Sequence, residues 1–360
     1  MIFELHSSLV GYANASIKNR NNIIEKLELL WTAHREGNHI IFSEIHVSEE
    51  LIGIIGNESR SASALLNRII NQYPKVAALA CHVERKVLIG DYNSNSTAIK
   101  SKIIEYPINK INSSLLQKSV ILVENLTDAD FYRWVAINIY RQTQYEGVTL
   151  SFESYPGGGN TTSEAYDNLK ANTSRLCLCI VDSDIRAPKL QPGETASKVV
   201  KSDRLRPRAQ ADFHIIGACS IENLIPVSAF EMAWGDDPNY TQKLVSYKKH
   251  YRDNHWRYLQ LKKNISCFEL YGVGAFSQYW SSALATTPNG CSNKMCSKKS
   301  DCKHNMLDQL SGSPLGATFS LIKDKVVNLD ELLPDIRHAW EEIASEILSW
   351  CCAPNMSSVA

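Results

Sequence analysis

Three carboxylates in this sequence stand directly after apolar runs, a position from which side chains can do chemistry. Glu124 follows Ser119-Val120-Ile121-Leu122-Val123, and Asp182 and Asp184 follow Leu176-Cys177-Leu178-Cys179-Ile180-Val181. Short runs rich in Val, Ile and Leu suit strands buried on both faces of a parallel sheet. Ligands of such sheets sit just outside the carboxyl ends of the strands. Two residues apart on an extended chain, Asp182 and Asp184 point the same way. If the two strands are neighbours, Glu124 and Asp182 come within one strand spacing, roughly 5 Å. Clustered carboxylates repel and are costly to desolvate unless a cation offsets their charge. Oxygen ligands of this kind suit Mg²⁺ or Mn²⁺. The plainer alternative is two ordinary strand ends with solvated acids. A second set of candidate ligands is Cys291, Cys296, Cys302 and His304, in a Lys/Ser-rich stretch. Three thiolates and an imidazole match a closed structural Zn²⁺ site, which leaves no open position for catalysis.

The elements that must position these groups are legible in outline. A helix over 129–142 follows Glu124, with Thr127 as its expected N-cap. Residues 148–155 read as a strand, followed by Gly157-Gly158-Gly159 and a helix over 163–171. The glycines permit either close approach of the backbone to a phosphate or simply a flexible turn. A strand over 213–217 leads to Ser220, a cap for the short helix that holds Glu222. Upstream, 19–35 reads as a helix stopped by Gly37. Residues 40–47, 75–83 and 86–91 read as strands, and 63–73 as a helix ending before Pro74. His34, His39, His46 and His82 are scattered there and read as structural or solvated. Pro188, Pro192 and Pro207 argue for irregular chain across 186–208. A closing helix runs to Trp350, with Asp330 as a candidate cap and Pro334 tolerable in its first turn. The expected domains are 1–112, a mixed α/β unit; 113–235, the sheet with the acids; and 236–360, a basic, zinc-containing and helical region.

Residues 120–128 and 180–184 together resemble the Toprim domain of topoisomerases, DnaG-type primases and OLD-family nucleases, in which a glutamate ends one strand and a D-x-D a later one. Cys219-Ser220-Ile221-Glu222-Asn223-Leu224 is similar to the (R)-E-I-E-N-Y-L signature of Toprim-like nucleases of bacterial phage defence. Ser220 stands where the outer glutamate is usual, and Asn125 where the family has glycine. The resemblance covers about a third of the chain. It implies a Toprim-like Rossmannoid parallel sheet flanked by helices, and a Mg²⁺- or Mn²⁺-dependent nuclease acting on DNA or a structured RNA such as tRNA. Glu124 and Asp128 would share one or two metal ions with Asp182 and Asp184, and Glu222 would complete the second site. Glu124 could instead serve as a general acid/base. It further implies a toxic antiviral effector controlled by a partner. No G-x-x-x-x-G-K-[ST] loop occurs, so the ATPase of OLD nucleases would be a separate chain. Two rivals stand beside this reading: a zinc-stabilised adaptor with an inactive Toprim domain, and primase-type nucleotidyl transfer.

Lysine plus arginine and aspartate plus glutamate both number 38, so any nucleic-acid surface must be local. Two basic stretches qualify. One carries Arg186, Arg204, Arg206 and Arg208; the other carries Lys248, Lys249, Arg252 and Arg257 interleaved with Tyr247, Tyr251, Trp256 and Tyr258. Cations there would meet phosphates and rings would stack on bases. Arg186 and Lys249 are also candidates for stabilising the transition state. An acidic protein partner is the alternative for these runs. The first residues show no secretory signal and no run is long enough to span a bilayer, so a cytoplasmic protein with no membrane partner is expected. The ten cysteines, among them Cys177 and Cys179 inside apolar strands, read as reduced thiols. A homo-oligomer is expected.

Overall fold

The computed structural model describes residues 1–360 except 57, 93–101, 142–144, 146, 254, 271, 285–303, 311–313 and 356–360. It is an α/β protein with parallel sheets flanked by helices, and the chain divides into two compact units. The first comprises 1–180, 199–214 and 342–360, the second 181–198 and 215–341.

The first unit opens with β1 (Ile2–Leu5), α1 (Ser8–Ala15), α2 (Ile17–Arg35), β2 (Ile40–Ser43), α3 (Ile45–Ile55), α4 (Arg60–His82), β3 (Lys86–Gly90) and β4 (Ile103–Pro107). The strands form a parallel sheet in the order β2-β1-β3-β4. Two stretches expected to be extended are helical. Residues 45–47 open α3, because Val47, Leu51 and Ile55 recur at four-residue spacing and are all buried. Residues 75–82 belong to α4, which runs straight through Pro74. The buried stripe of Leu65, Leu66 and Ile69 resumes at Leu79 and Ala80, and this packing outweighs the bond that proline cannot donate. Pro74→Ala is therefore expected to stabilise the protein by about 1–3 kcal/mol, read from urea unfolding. An unchanged or lower midpoint would show that the helix has adapted fully to its proline.

Next come β5 (Ser119–Val123), α5 (Leu126–Tyr140), β6 (Val148–Leu150), β7 (Phe152–Pro156), α6 (Thr162–Asn172), β8 (Cys177–Val181), α7 (Glu194–Leu205) and β9 (Ala211–Ile215). Here the sheet order is β7-β5-β8-β9. The condition set for the two apolar runs is met: β5 and β8 are parallel neighbours, with Leu122 opposite Cys179. Both strands are buried throughout, as their uninterrupted apolar character requires. Cys177 and Cys179 are free buried thiols, and burial pushes the Cys177 thiol up to about 12. The single strand expected over 148–155 is two strands in two sheets. β7 joins β5, whereas β6 pairs antiparallel with Cys352–Pro354. The stretch expected to be irregular contains α7, because its prolines lie before and after the helix rather than within it.

The second unit is mainly helical: α8 (Val227–Trp234), α9 (Pro238–Arg252), β10 (Ile265–Ser266), α10 (Cys267–Leu270), α11 (Ala275–Ala283), β11 (Asn305–Leu307), α12 (Pro314–Ile322) and the start of α13 (Pro334–Cys351). Pro334 opens α13, where a missing N–H costs nothing, but the side-chain cap nearby is Asn328, on the turn before it, and not Asp330. Phe230, Trp256 and Trp280 are fully buried in this unit. No helix among the described residues is long and apolar enough to cross a membrane.

Candidate functional site

Glu124 lies one residue beyond β5 in the first unit, half-buried. The cap of α5 is Asn125 rather than Thr127. Asn125 and Asp128 form a capping box, in which the Asn125 backbone N–H donates to Asp128 Oδ2 at 2.9 Å. One oxygen of the buried Asp128 carboxylate thus serves the helix end. The glycine run adopts left-handed backbone, with φ of 75° at Gly158 and 65° at Gly159. Two of its N–H groups are already used: Gly157 donates to Val123 O at 2.6 Å and Gly158 to Glu124 O at 3.1 Å. Those two amides are unavailable to a phosphate. The run is a built turn that fastens the end of β7 to the end of β5. A Cβ at Gly157 would collide with the Thr162 side chain, which explains the residue there.

Asp182, Asp184 and Glu222 all belong to the second unit, and hydrogen bonds tie the segments that carry them. Asp182 Oδ1 accepts from the Ile221 N–H at 3.0 Å, which ties the D-x-D segment to the turn that carries Glu222. Asp184 takes left-handed backbone (φ 52°), and its N–H donates to Cys219 O at 2.8 Å. Gly193 packs so closely on Asp184 that a Cβ there would overlap its carboxylate. Burial raises the Asp184 carboxyl above the ordinary range, opposed by Lys263, Lys262 and Arg186 and assisted by Glu222. All three acids also act on the Cys219 thiol, which burial, then Asp184, then Asp182, push up to about 12.

Glu222 is 2% exposed. Its Oε1 meets Lys262 Nζ at 2.6 Å, and its Oε2 is buried with no hydrogen-bond partner. Leaving a buried carboxylate oxygen unsatisfied is costly, so the turn must be held against relaxation. Asn223 does this. Its Oδ1 accepts from the Ser220 N–H at 2.9 Å and hydroxyl at 3.0 Å, while its Nδ2 donates to Trp256 O at 2.7 Å and Leu259 O at 2.8 Å. Trp256 Nε1 returns a bond to Asn223 O at 2.8 Å, and Trp340 Nε1 bonds Leu224 O at 2.9 Å. The expected Ser220 cap is present as one half of this box. What sequence reasoning missed is Lys262 and Lys263, which sit inside the second basic stretch but face acids far away along the chain.

Carboxylate oxygens, one of them a buried orphan, are the donor set of a hard divalent cation. Among the described residues, no three His, Cys, Asp or Glu side chains stand as a preformed metal cluster. The acids are engaged instead by Lys262 and the Ile221 N–H. The raised Asp184 carboxyl carries a sign that can be checked. A group whose folded pKa lies above its unfolded value favours the fold when protonated, and that contribution is lost as pH rises through the folded pKa. Asp184→Asn is thus expected to unfold at higher urea than the parent protein at pH 7. The difference should vanish below the ordinary aspartate range, where both states of the parent are protonated. A variant less stable at pH 7 would contradict this account.

The basic residues divide between the units. Arg204, Arg206 and Arg208 are exposed in the first unit. In the second, Arg186 pairs with Glu269 at 3.1 Å, Lys248 with Glu231, and Arg257 with Asp335 at 3.9 Å, while Lys249 is exposed. Arg252 lies in α9, and its side chain is outside the described residues. Two rings expected to stack on bases are core residues: Tyr247 is 1% and Trp256 0% exposed. Tyr247 and Trp256 pack inward here, whereas Tyr251 and Tyr258 are half-buried and Lys249 is exposed. Of the proposed zinc ligands, Cys291, Cys296 and Cys302 lie outside the described residues. His304 is exposed, and its carbonyl accepts from the Cys267 N–H at 3.0 Å. No family model, no curated protein and no solved structure matches this chain.

Proposed function

We propose that this protein is a Mg²⁺- or Mn²⁺-dependent nuclease of the Toprim type, cutting phosphodiester bonds of DNA or structured RNA. The observation that carries the reading is Glu222: a buried carboxylate with an orphaned oxygen, held beside Asp182 and Asp184 by a fully hydrogen-bonded turn. A bound divalent cation would supply Lewis-acid stabilisation of phosphate charge and a water acidic enough to attack near neutral pH. Asp182, Asp184 and Glu222 would hold it. Glu124 and Asp128 join the ligand set on the strength of the sequence resemblance alone. Lys262, Lys263 and Arg186 bring positive charge to the same acids and would meet the phosphate of a substrate. The wider reading, an antiviral effector working as a homo-oligomer with a separate regulatory chain and a structural Zn²⁺, rests on the sequence.

One contact favours a second reading. Lys262 already neutralises Glu222, as it would in an adaptor that binds nucleic acid or protein without turnover. Incubation of the full chain with plasmid DNA and with total tRNA, in Mg²⁺, Mn²⁺ or EDTA, separates the two. Cleavage that EDTA stops supports the nuclease. Binding without cleavage in either metal refutes it.

A further inference from the structure

A cavity of about 470 Å³ lies wholly within the second unit, lined by α9, the end of α11 and β11. Its α9 wall is a single helical face: Asn239, Gln242, Lys243, Ser246, Lys249 and His250 recur at three- and four-residue spacing. Polar residues on a surface helix ordinarily face open solvent, whereas these line a concavity. The wall grades from exposed Asn239 and Gln242 at the mouth to His250, 3% exposed, at the floor. His250 Nδ1 is buried and has no hydrogen-bond partner. Burial, then His255 and Lys249, hold the imidazole neutral by lowering its pKa to about 4. Opposite α9 the lining mixes apolar Ala283, Leu284, Met306 and Leu307 with Asn305 and Asp308.

We infer that this cavity binds a nucleoside monophosphate. The two walls match the two halves of such a molecule. Leu284, Met306 and Leu307 offer a flat or adaptable apolar surface to a ring. The amides of Asn239 and Gln242 can both donate and accept, as the edge of a base requires. Lys243 and Lys249 outnumber Asp308, so the lining carries net positive charge for a phosphate. His250, 3% exposed, completes the α9 side of the lining. This site is separate from the proposed metal acids and does not depend on them.

The test is calorimetric titration of the full chain, in EDTA, with AMP, GMP, CMP and UMP, alongside adenosine and inorganic phosphate. At least one monophosphate should saturate the protein, with adenosine and phosphate each about tenfold weaker or worse. Lys243→Glu and His250→Phe should each weaken that binding by about tenfold or more. Should His250→Phe fail to fold, Lys243→Glu decides alone. Absence of binding by all four nucleotides, phosphate binding as tight as any of them, or unchanged affinity in Lys243→Glu would overturn the inference.

Discussion

Glu222→Gln and Asp182→Asn should each lower metal-dependent cleavage by about a thousandfold or more, a loss of roughly 4 kcal/mol in transition-state stabilisation. Both changes keep the shape of the side chain and remove its charge. Asp182→Asn retains an oxygen to accept from the Ile221 N–H, so the tie between the two acidic segments survives. In Glu222→Gln the ion pair with Lys262 is lost, but that lysine is 43% exposed and can turn to water. Neither variant therefore has a reason to unfold, and a matched thermal midpoint would establish that the loss is chemical. The resemblance demands the same of Glu124→Gln. Undiminished cleavage by folded Asp182→Asn and Glu124→Gln proteins would remove these acids from the mechanism.

Asn223→Leu is expected to destabilise the protein by about 3–6 kcal/mol, among the largest costs available to a single substitution here. The leucine would strand the carbonyls of Trp256 and Leu259 and the N–H of Ser220 in a fully buried setting. Each orphaned group costs about 1–3 kcal/mol. Asn223→Asp should fare little better, since a buried carboxylate cannot donate to the two carbonyls. Urea unfolding measures the effect, and cleavage should fall with it because Glu222 depends on the same turn. A change below about 1 kcal/mol would mean that water replaces the amide and that the turn is not the rigid support described.

The central sheet was readable because strands buried on both faces leave long apolar runs, and the runs before Glu124 and Asp182 are of that kind. That β5 and β8 pair with each other was only a condition of that reading, because an apolar run does not name its neighbour. Elements that depend on distant packing were not readable. Pro74 marks a helix end by local chemistry, yet the stripe from Leu65 to Ala80 carries α4 across it. The split at Ser151 is invisible without the strand at residues 352–354 that claims β6. At the site, composition exposed the acids but not what holds them. Nothing near Glu222 announces that Lys262 will reach it, or that Asn223 will bridge to Trp256. Spacing likewise misled on Tyr247 and Trp256, since rings between cations look alike whether they face inward or outward.

The chain passes between its two units at 180/181, 198/199, 214/215 and 341/342. As the chain emerges from a ribosome, all of the second unit is made before the last segment of the first. The first unit must wait for residues 342–360, whose strand caps Val148–Leu150 and whose Trp350 carbonyl receives the Ser119 hydroxyl at 2.6 Å. Contacts spanning some 200 residues close slowly and late. The first unit therefore closes only after the second-unit residues that surround Asp182, Asp184 and Glu222 have been made.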